Sequence, residues 1–228
     1  MSILPGTPEP RAVPGGSYHQ AHLTEDSARA ILWQILSAHL AHYVPANASV
    51  LELGAGYCYW INSVRATKRV ALDVWDELPR HASVEVNAII HDLSLGLPAF
   101  AEAPFDVVMA SNVLEHFEPD RVSQLCAEVF GALRDGGRFI VIQPNFRFAY
   151  RRYFDDYTHR SIFTDVSLAN LLRSRGFNIE TVESRFLPYS LQGKHRAVRA
   201  WLIKAYLLSP IKPFAGQMLI VARKSPAR

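Results

Sequence analysis

Five short runs of mostly apolar residues pace the middle of the chain: SVLEL (49–53), RVALD (69–73), NAIIHD (87–92), FDVVMAS (105–111) and RFIVIQ (138–143). They are apolar at consecutive rather than alternate positions, which predicts strands covered on both faces. That is the condition of a parallel sheet lying between two layers of helices. Helix-like segments fill the intervals, as an α/β fold requires. The first is expected from Glu25 to Tyr43, with Thr24 as N-cap, Glu25 and Asp26 in the first turn and Pro45 closing it. Another is expected from Pro119 to Leu133, with an apolar stripe at Val122, Leu125, Val129 and Leu133, stopping at Asp135-Gly136-Gly137. A loop over 144–162, a helix from Thr164 to Arg175 ended by Gly176, and two closing strands, FNIETVES (177–184) and QMLIVARK (217–224), complete the order.

With 228 residues, 49% of them hydrophobic, the chain is long enough to bury a full core and reads as one domain, 24–228, preceded by a flexible arm over 1–23 rich in Pro and Gly. Cys58 and Cys126 form neither a disulfide framework nor a metal-ligand spacing, and no signal-peptide pattern precedes the fold, so a cytoplasmic location is expected. Net charge is +3 but unevenly spread: nine of the 24 basic residues and none of the 21 acids lie in 184–228, leaving −6 on the rest. Such a cationic end suits phosphates or an anionic membrane surface, or is simply a solvated face.

Nucleotide-binding α/β folds seat their ligand at the C-terminal ends of the parallel strands, where Glu52, Asp73 and Asp92 fall. Gly54-Ala55-Gly56 supplies the tight turn after the first strand, and Asp73 ends the second, where a carboxylate accepts hydrogen bonds from ribose hydroxyls. A dinucleotide fingerprint wants a third glycine where this chain has Tyr59, and Glu52 would repel a pyrophosphate while suiting the ammonium of a methionine moiety. The closing helix and two strands also leave no substrate domain. Together these favour an S-adenosyl ligand over NAD(P) and an oxidoreductase.

The blocks VLELGAG (50–56), ALDVWDEL (71–78), IIHDLSLGLP (90–98), FDVVMASNVLEHF (105–117) and LRDGGRFIVIQPN (133–145) resemble, in order and spacing, the class I S-adenosylmethionine-dependent methyltransferases of the type 11-like group. The resemblance spans about 25–184 and implies a Rossmann-like, seven-stranded, mostly parallel sheet with helices on both faces and an antiparallel last strand. It implies S-adenosyl-L-methionine as cofactor, with Glu52, Gly54, Ala55 and Gly56 holding the methionine part and Asp73 the ribose. Val74 and Trp75 lie beside the adenine, Asp92 and Leu93 at its edge, Ser111 and Asn112 near the sulfonium, and His116 closes the pocket. His116 also reads as a residue that merely packs near a helix start. One departure is Cys58, where the family usually has a small residue, often glycine; it makes the loop bulkier and keeps open a non-catalytic homologue that has lost the cofactor.

Methyl transfer asks mainly for alignment and exclusion of water, with a general base useful for a hydroxyl acceptor. In RRYFDDYTHR (151–160), His159 is the candidate base, Asp155 or Asp156 its orienter, and Tyr153 and Tyr157 pocket walls. The competing reading has the aspartates pairing with Arg151, Arg152 or Arg160 to staple the loop. No third ligand stands near the two aspartates, so no metal is expected. A helical insertion over 185–216 separates the closing strands, and its 195–208 segment is apolar nearly all round, with Arg196, Arg199 and Lys204 in one sector. It fits burial, a dimer contact, or the interface of an anionic membrane, and is too short to span one. The expected activity is methylation, with oxygen favoured, of a small-molecule or lipid-linked acceptor by a monomer or homodimer; nucleic acid is disfavoured because no aromatics interleave with a basic face.

Overall fold

The computed structural model describes residues 26–189 and 200–225; the proposed arm over 1–23 and the Arg196–Arg199 part of the cationic helix lie outside them. In chain order the elements are α1 (Ser27–Leu40), β1 (Ser49–Leu53), α2 (Tyr59–Ser63), β2 (Lys68–Asp73), α3 (Leu78–His81), β3 (Val86–Ile90) and β4 (Phe105–Ser111). There follow α4 (Pro119–Ala132), β5 (Leu133–Pro144), α5 (Phe146–Ala149), α6 (Asp165–Ser174), β6 (Phe177–Pro188), α7 (Ala200–Leu208) and β7 (Ala215–Lys224).

The strands form one seven-stranded sheet in the order β3-β2-β1-β4-β5-β7-β6. The β1–β5 pairings are parallel, and β7 runs antiparallel to both β5 and β6. All five residues of β1 are buried, so its two faces serve two separate cores. Leu51, Leu53, Val108 and Phe139 pack with α4 and α6 on one side, while Val50, Val107, Met109 and Ile140 pack with α1, α2 and α7 on the other. The strand order reverses between β1 and β4, so the turns after these two strands diverge and open a crevice at their C-terminal ends.

Several boundaries differ from those expected. The helix begins at Ser27 because the Asp26 side chain accepts from the Ala28 N–H at 2.8 Å and acts as its N-cap; Ala41–Tyr43 forms a tighter final turn. β3 stops at Ile90, and Asp92 caps the short turn Leu93–Leu95 by accepting from the Ser94 N–H. α4 passes into β5 without a loop. Phe105 pairs with Leu133 and Val107 with Arg138, so Asp135-Gly136-Gly137 bulges from the strand rather than ending the helix. The 144–162 segment holds α5 and a turn at Tyr153–Asp155. β6 runs on to Pro188 and β7 begins at Ala215, so the insertion is shorter than 185–216. The charge asymmetry is partly neutralised on folding: Lys212 pairs with Glu183 at 2.5 Å, Arg223 with Glu180 at 3.7 Å and Lys224 with Asp135 at 4.0 Å.

Candidate active site

The glycine turn after β1 is held by both sheet and helix. Gly54 has φ +64°, and a Cβ there would stand 2.5 Å from Val113 Cγ2, so this position needs glycine for both conformation and space. The Gly56 N–H donates to Asp73 Oδ2 at 2.8 Å and the Trp75 N–H to Asp73 Oδ1 at 3.0 Å; the carboxylate ending β2 thus fixes the turn ending β1. Cys58 caps α2 in the left-handed region, at φ 57°, which is the physical reason a glycine suits this position. Its side chain is fully buried in the core beneath the turn, which together with the surrounding carboxylates raises the thiol pKa far above its usual value.

Glu52 points the same way. Its Oε2 accepts from the Ile61 N–H at 3.0 Å, in the first turn of α2. Burial raises its pKa well above its usual value, the Ile61 bond opposing and Asp73 adding to the effect.

These groups line one cavity of about 390 Å³ at the C-terminal ends of β1, β2 and β4. Its walls include Glu52, Gly54, Ala55, Gly56, Asp73, Val74, Asp92, Leu93, Ser111, Asn112 and His116. Trp75 is not among them: it stacks on His81 with ring centroids 4.9 Å apart, turned into the layer beside the cavity. Arg29 and Trp33 of α1, Tyr57, Tyr59 and His91 also contribute, and none was singled out from the sequence as a wall. Only the aromatic break after the glycines hinted at Tyr57 and Tyr59.

Tyr157, Thr158 and Arg160 also line the cavity, with His116 and Phe117, and His116 Nδ1 lies 2.9 Å from the Thr158 hydroxyl. The loop that carries them is stitched to the segment after β4. The N–H groups of Arg160 and Ser161 donate to the Glu115 carbonyl at 2.8 and 3.1 Å, and the Ser161 hydroxyl bonds the Phe117 carbonyl. His159 and Asp156 do not reach the cavity wall. The His159 side chain is only 5% exposed and donates from Nδ1 to the Tyr153 carbonyl at 2.6 Å, with Tyr153 itself fully buried. Asp155 points outward and pairs with Arg152 at 3.5 Å. Asp156 instead takes the Thr158 hydroxyl at 2.5 Å; burial works against its charge, yet the Thr158 bonds and the two histidines hold its pKa below the usual value. Behind this wall lies Glu115, fully buried, its carboxyl pKa pushed up to about 8 by burial, relieved by its own backbone N–H and raised further by Asp156.

Residues 26–182 match the family described as "Methyltransferase domain". A probable S-adenosylmethionine-dependent methyltransferase of Mycolicibacterium smegmatis is 29% identical over 185 residues, covering 78% of this chain and 67% of that protein. The bifunctional methionine biosynthesis protein MetXA/MetW of Rhodopirellula baltica is 34% identical over 129 residues, 51% of this chain, but the match spans only 20% of that longer protein. Among solved structures, the 1,6-didemethyltoxoflavin-N1-methyltransferase of Burkholderia thailandensis, with its substrate and S-adenosylhomocysteine bound, aligns with a TM-score of 0.57 at 22% identity over 96% of this chain and 93% of that one. With the sheet order, the glycine turn locked to Asp73 and the crevice between β1 and β4 agreeing with the sequence match, the chain belongs to the class I S-adenosylmethionine-dependent methyltransferases.

Proposed function

We propose that this enzyme methylates an oxygen atom of a small, partly apolar and anionic or lipid-linked acceptor. The observation that carries the reading is one cavity lined both by the glycine turn and Asp73 and by His116, Tyr157, Thr158 and Arg160. The glycine turn and Asp73 suit S-adenosylmethionine. Asp73 lines the cavity at the end of β2, where a carboxylate suits ribose hydroxyls, Val74 and Leu93 offer apolar walls for a base, and the cavity volume is that of a small-molecule site. Cys58 is not among the residues lining the cavity, which supports a turn able to hold the cofactor despite its bulk.

The bound cofactor supplies an electrophilic methyl; the chain's own part is to align a nucleophile with it, exclude water and take the proton an acceptor hydroxyl must lose. His116, with His159 and Glu115 behind it, gives the far wall groups able to take or labilise a proton. Arg160 and Arg29 at the walls suit an anionic acceptor. A lipid-linked acceptor is favoured by α7: Trp201, Leu202 and Leu208, with Ile211 and Phe214 beyond it, are 45–90% exposed, while Leu207 anchors the helix in the core beside α1. Among the described residues no helix is long and apolar enough to cross a membrane, so contact would be peripheral.

Calorimetric titration with S-adenosylmethionine, S-adenosylhomocysteine and NADH tests the cofactor. Binding of the first two, reduced at least tenfold by Asp73→Ala, is expected; binding of NADH alone would overturn the reading. Transfer of labelled methyl to hydroxyl acceptors, but not to amine analogues, tests the atom.

A further inference from the structure

We propose that Glu115, His116 and His159 form a binding site for a divalent transition cation, with zinc the best match, at the acceptor end of the cavity. One ligand atom from each residue lies within 4.8 Å of the other two. Two residues are adjacent and the third is 43 positions on, brought in by the Arg160 and Ser161 bonds to the Glu115 carbonyl.

Two features make this a ligand set rather than a chance meeting. First, both Glu115 carboxyl oxygens are buried without a hydrogen-bond partner among the described residues, in a side chain that is 0% exposed. Buried carboxylates are ordinarily satisfied, and one left so invites a cation. Second, the hydrogen bonds fix the tautomers. The Tyr153 carbonyl can only accept, so His159 carries its proton on Nδ1. The Thr158 hydroxyl gives its proton to Asp156, so it accepts from His116 Nδ1 at 2.9 Å. With Nδ1 so engaged, Nε2 of each ring is the nitrogen that a cation would take in exchange for any proton it carries, and the outward Nδ1–H bond to a carbonyl or a carboxylate relay is the arrangement typical of metal-bound histidine.

Two imidazoles and a carboxylate match zinc and its transition-metal neighbours rather than magnesium or calcium, which take oxygen ligands. Donor–zinc distances of about 2.0–2.2 Å require the three to draw together by roughly 1 Å from their present spacing, within the reach of side-chain torsions. With His116 in the cavity wall, an open coordination position would meet the acceptor. An acceptor hydroxyl bound there would be made more acidic and would give its proton to solvent water, since His116, His159 and Glu115 would all be engaged as ligands. The site stands on its own geometry; only this role rests on the methyltransferase reading.

The full-length protein, stripped with chelator, is titrated with Zn2+ by calorimetry and with Co2+ by visible absorption. One tight equivalent is expected, with a ligand-field band, and Glu115→Gln or His159→Gln should each weaken it at least tenfold. X-ray absorption of the stoichiometric zinc form of the unmodified protein should show two imidazoles and an oxygen donor, a readout that does not depend on the variants folding. Absence of a tight equivalent, a site indifferent to both substitutions, or a different ligand set would overturn the proposal. S-adenosylhomocysteine titration of the metal-free protein separates the two readings: its loss would count against the cofactor site while leaving the metal result standing.

Discussion

Replacing Gly54 with alanine tests whether the cofactor turn is dictated by close packing or only by conformation. At φ +64° an L-residue costs about 1 kcal/mol. The new Cβ would stand 2.5 Å from Val113 Cγ2, against about 3.5–4.0 Å for a normal carbon contact, so some 1 Å of overlap must be relieved. Val113 is itself buried, and overpacking of this kind costs about 1–3 kcal/mol. The sum is about 2–4 kcal/mol, a fall in Tm of roughly 4–16 °C for a chain of this size. Val113→Ala should cost roughly 2 kcal/mol alone, from lost burial and the cavity left behind. Combined, the two should cost less than their sum by the steric part, about 1–3 kcal/mol, because the truncated side chain no longer meets the new methyl. Urea unfolding of the four proteins at pH 7, with S-adenosylhomocysteine titration of each, gives both arms of the cycle. Additivity within about 0.5 kcal/mol would refute the argument, showing that the two positions do not meet.

Glu52→Gln keeps an acceptor for the Ile61 N–H while removing a carboxyl whose folded pKa is raised. The folded state holds that proton longer than the unfolded chain does, so its stabilising contribution is complete below the ordinary carboxylate pKa and is lost as pH rises through the raised value. The variant should therefore lose less stability than the parent between pH 5 and 8 by urea midpoint; parallel curves would contradict the assignment. Cys58→Gly exchanges left-handed strain for a lost buried thiol, so stability should move by no more than about 1 kcal/mol with S-adenosylhomocysteine affinity unchanged. A tenfold affinity change would show that the cysteine acts on the cavity after all. Trp201→Asp with Phe214→Asp should abolish flotation with anionic vesicles if the apolar stripe beside α7 meets a membrane; an unmodified protein that fails to float removes the lipid-linked acceptor.

That the residues ending β1 and β2 meet at one cavity is legible because the signals are local. Runs of apolar residues mark fully buried strands, and a buried strand delivers its next polar residue to the crevice by simple continuation, as at Glu52 and Asp73. Trp75 shows the limit of this logic. It follows Asp73 closely and was placed with the base, yet its large ring finds more burial against His81 than at the cavity mouth. The helix start was mistaken for a related reason: Thr24, Glu25 and Asp26 all suit a first turn, and only the Asp26 bond to Ala28 shows which one caps it. Tyr57 and Tyr59 are not legible as walls, since nothing in an aromatic pair says which way it faces.

The acceptor half depends on contacts that sequence distance hides. His159 looked like a base because it lies among aspartates on a loop after β5, but the bond to the Tyr153 carbonyl turns it inward, toward Glu115 and His116. Glu115 was read past as part of LEHF, although its carbonyl holds the loop and its carboxyl lies buried behind the wall. One short segment after β4 therefore does two things at once: Val113 presses on the glycine turn, and Glu115 and His116 fix the loop that ends the cavity. The glycine turn and the 157–161 loop are thus joined through neighbouring residues of one chain segment. A change at 113–116 should disturb both ligands together, whereas a change at Tyr157 or Arg160 should alter the choice of acceptor and leave the cofactor end as it is.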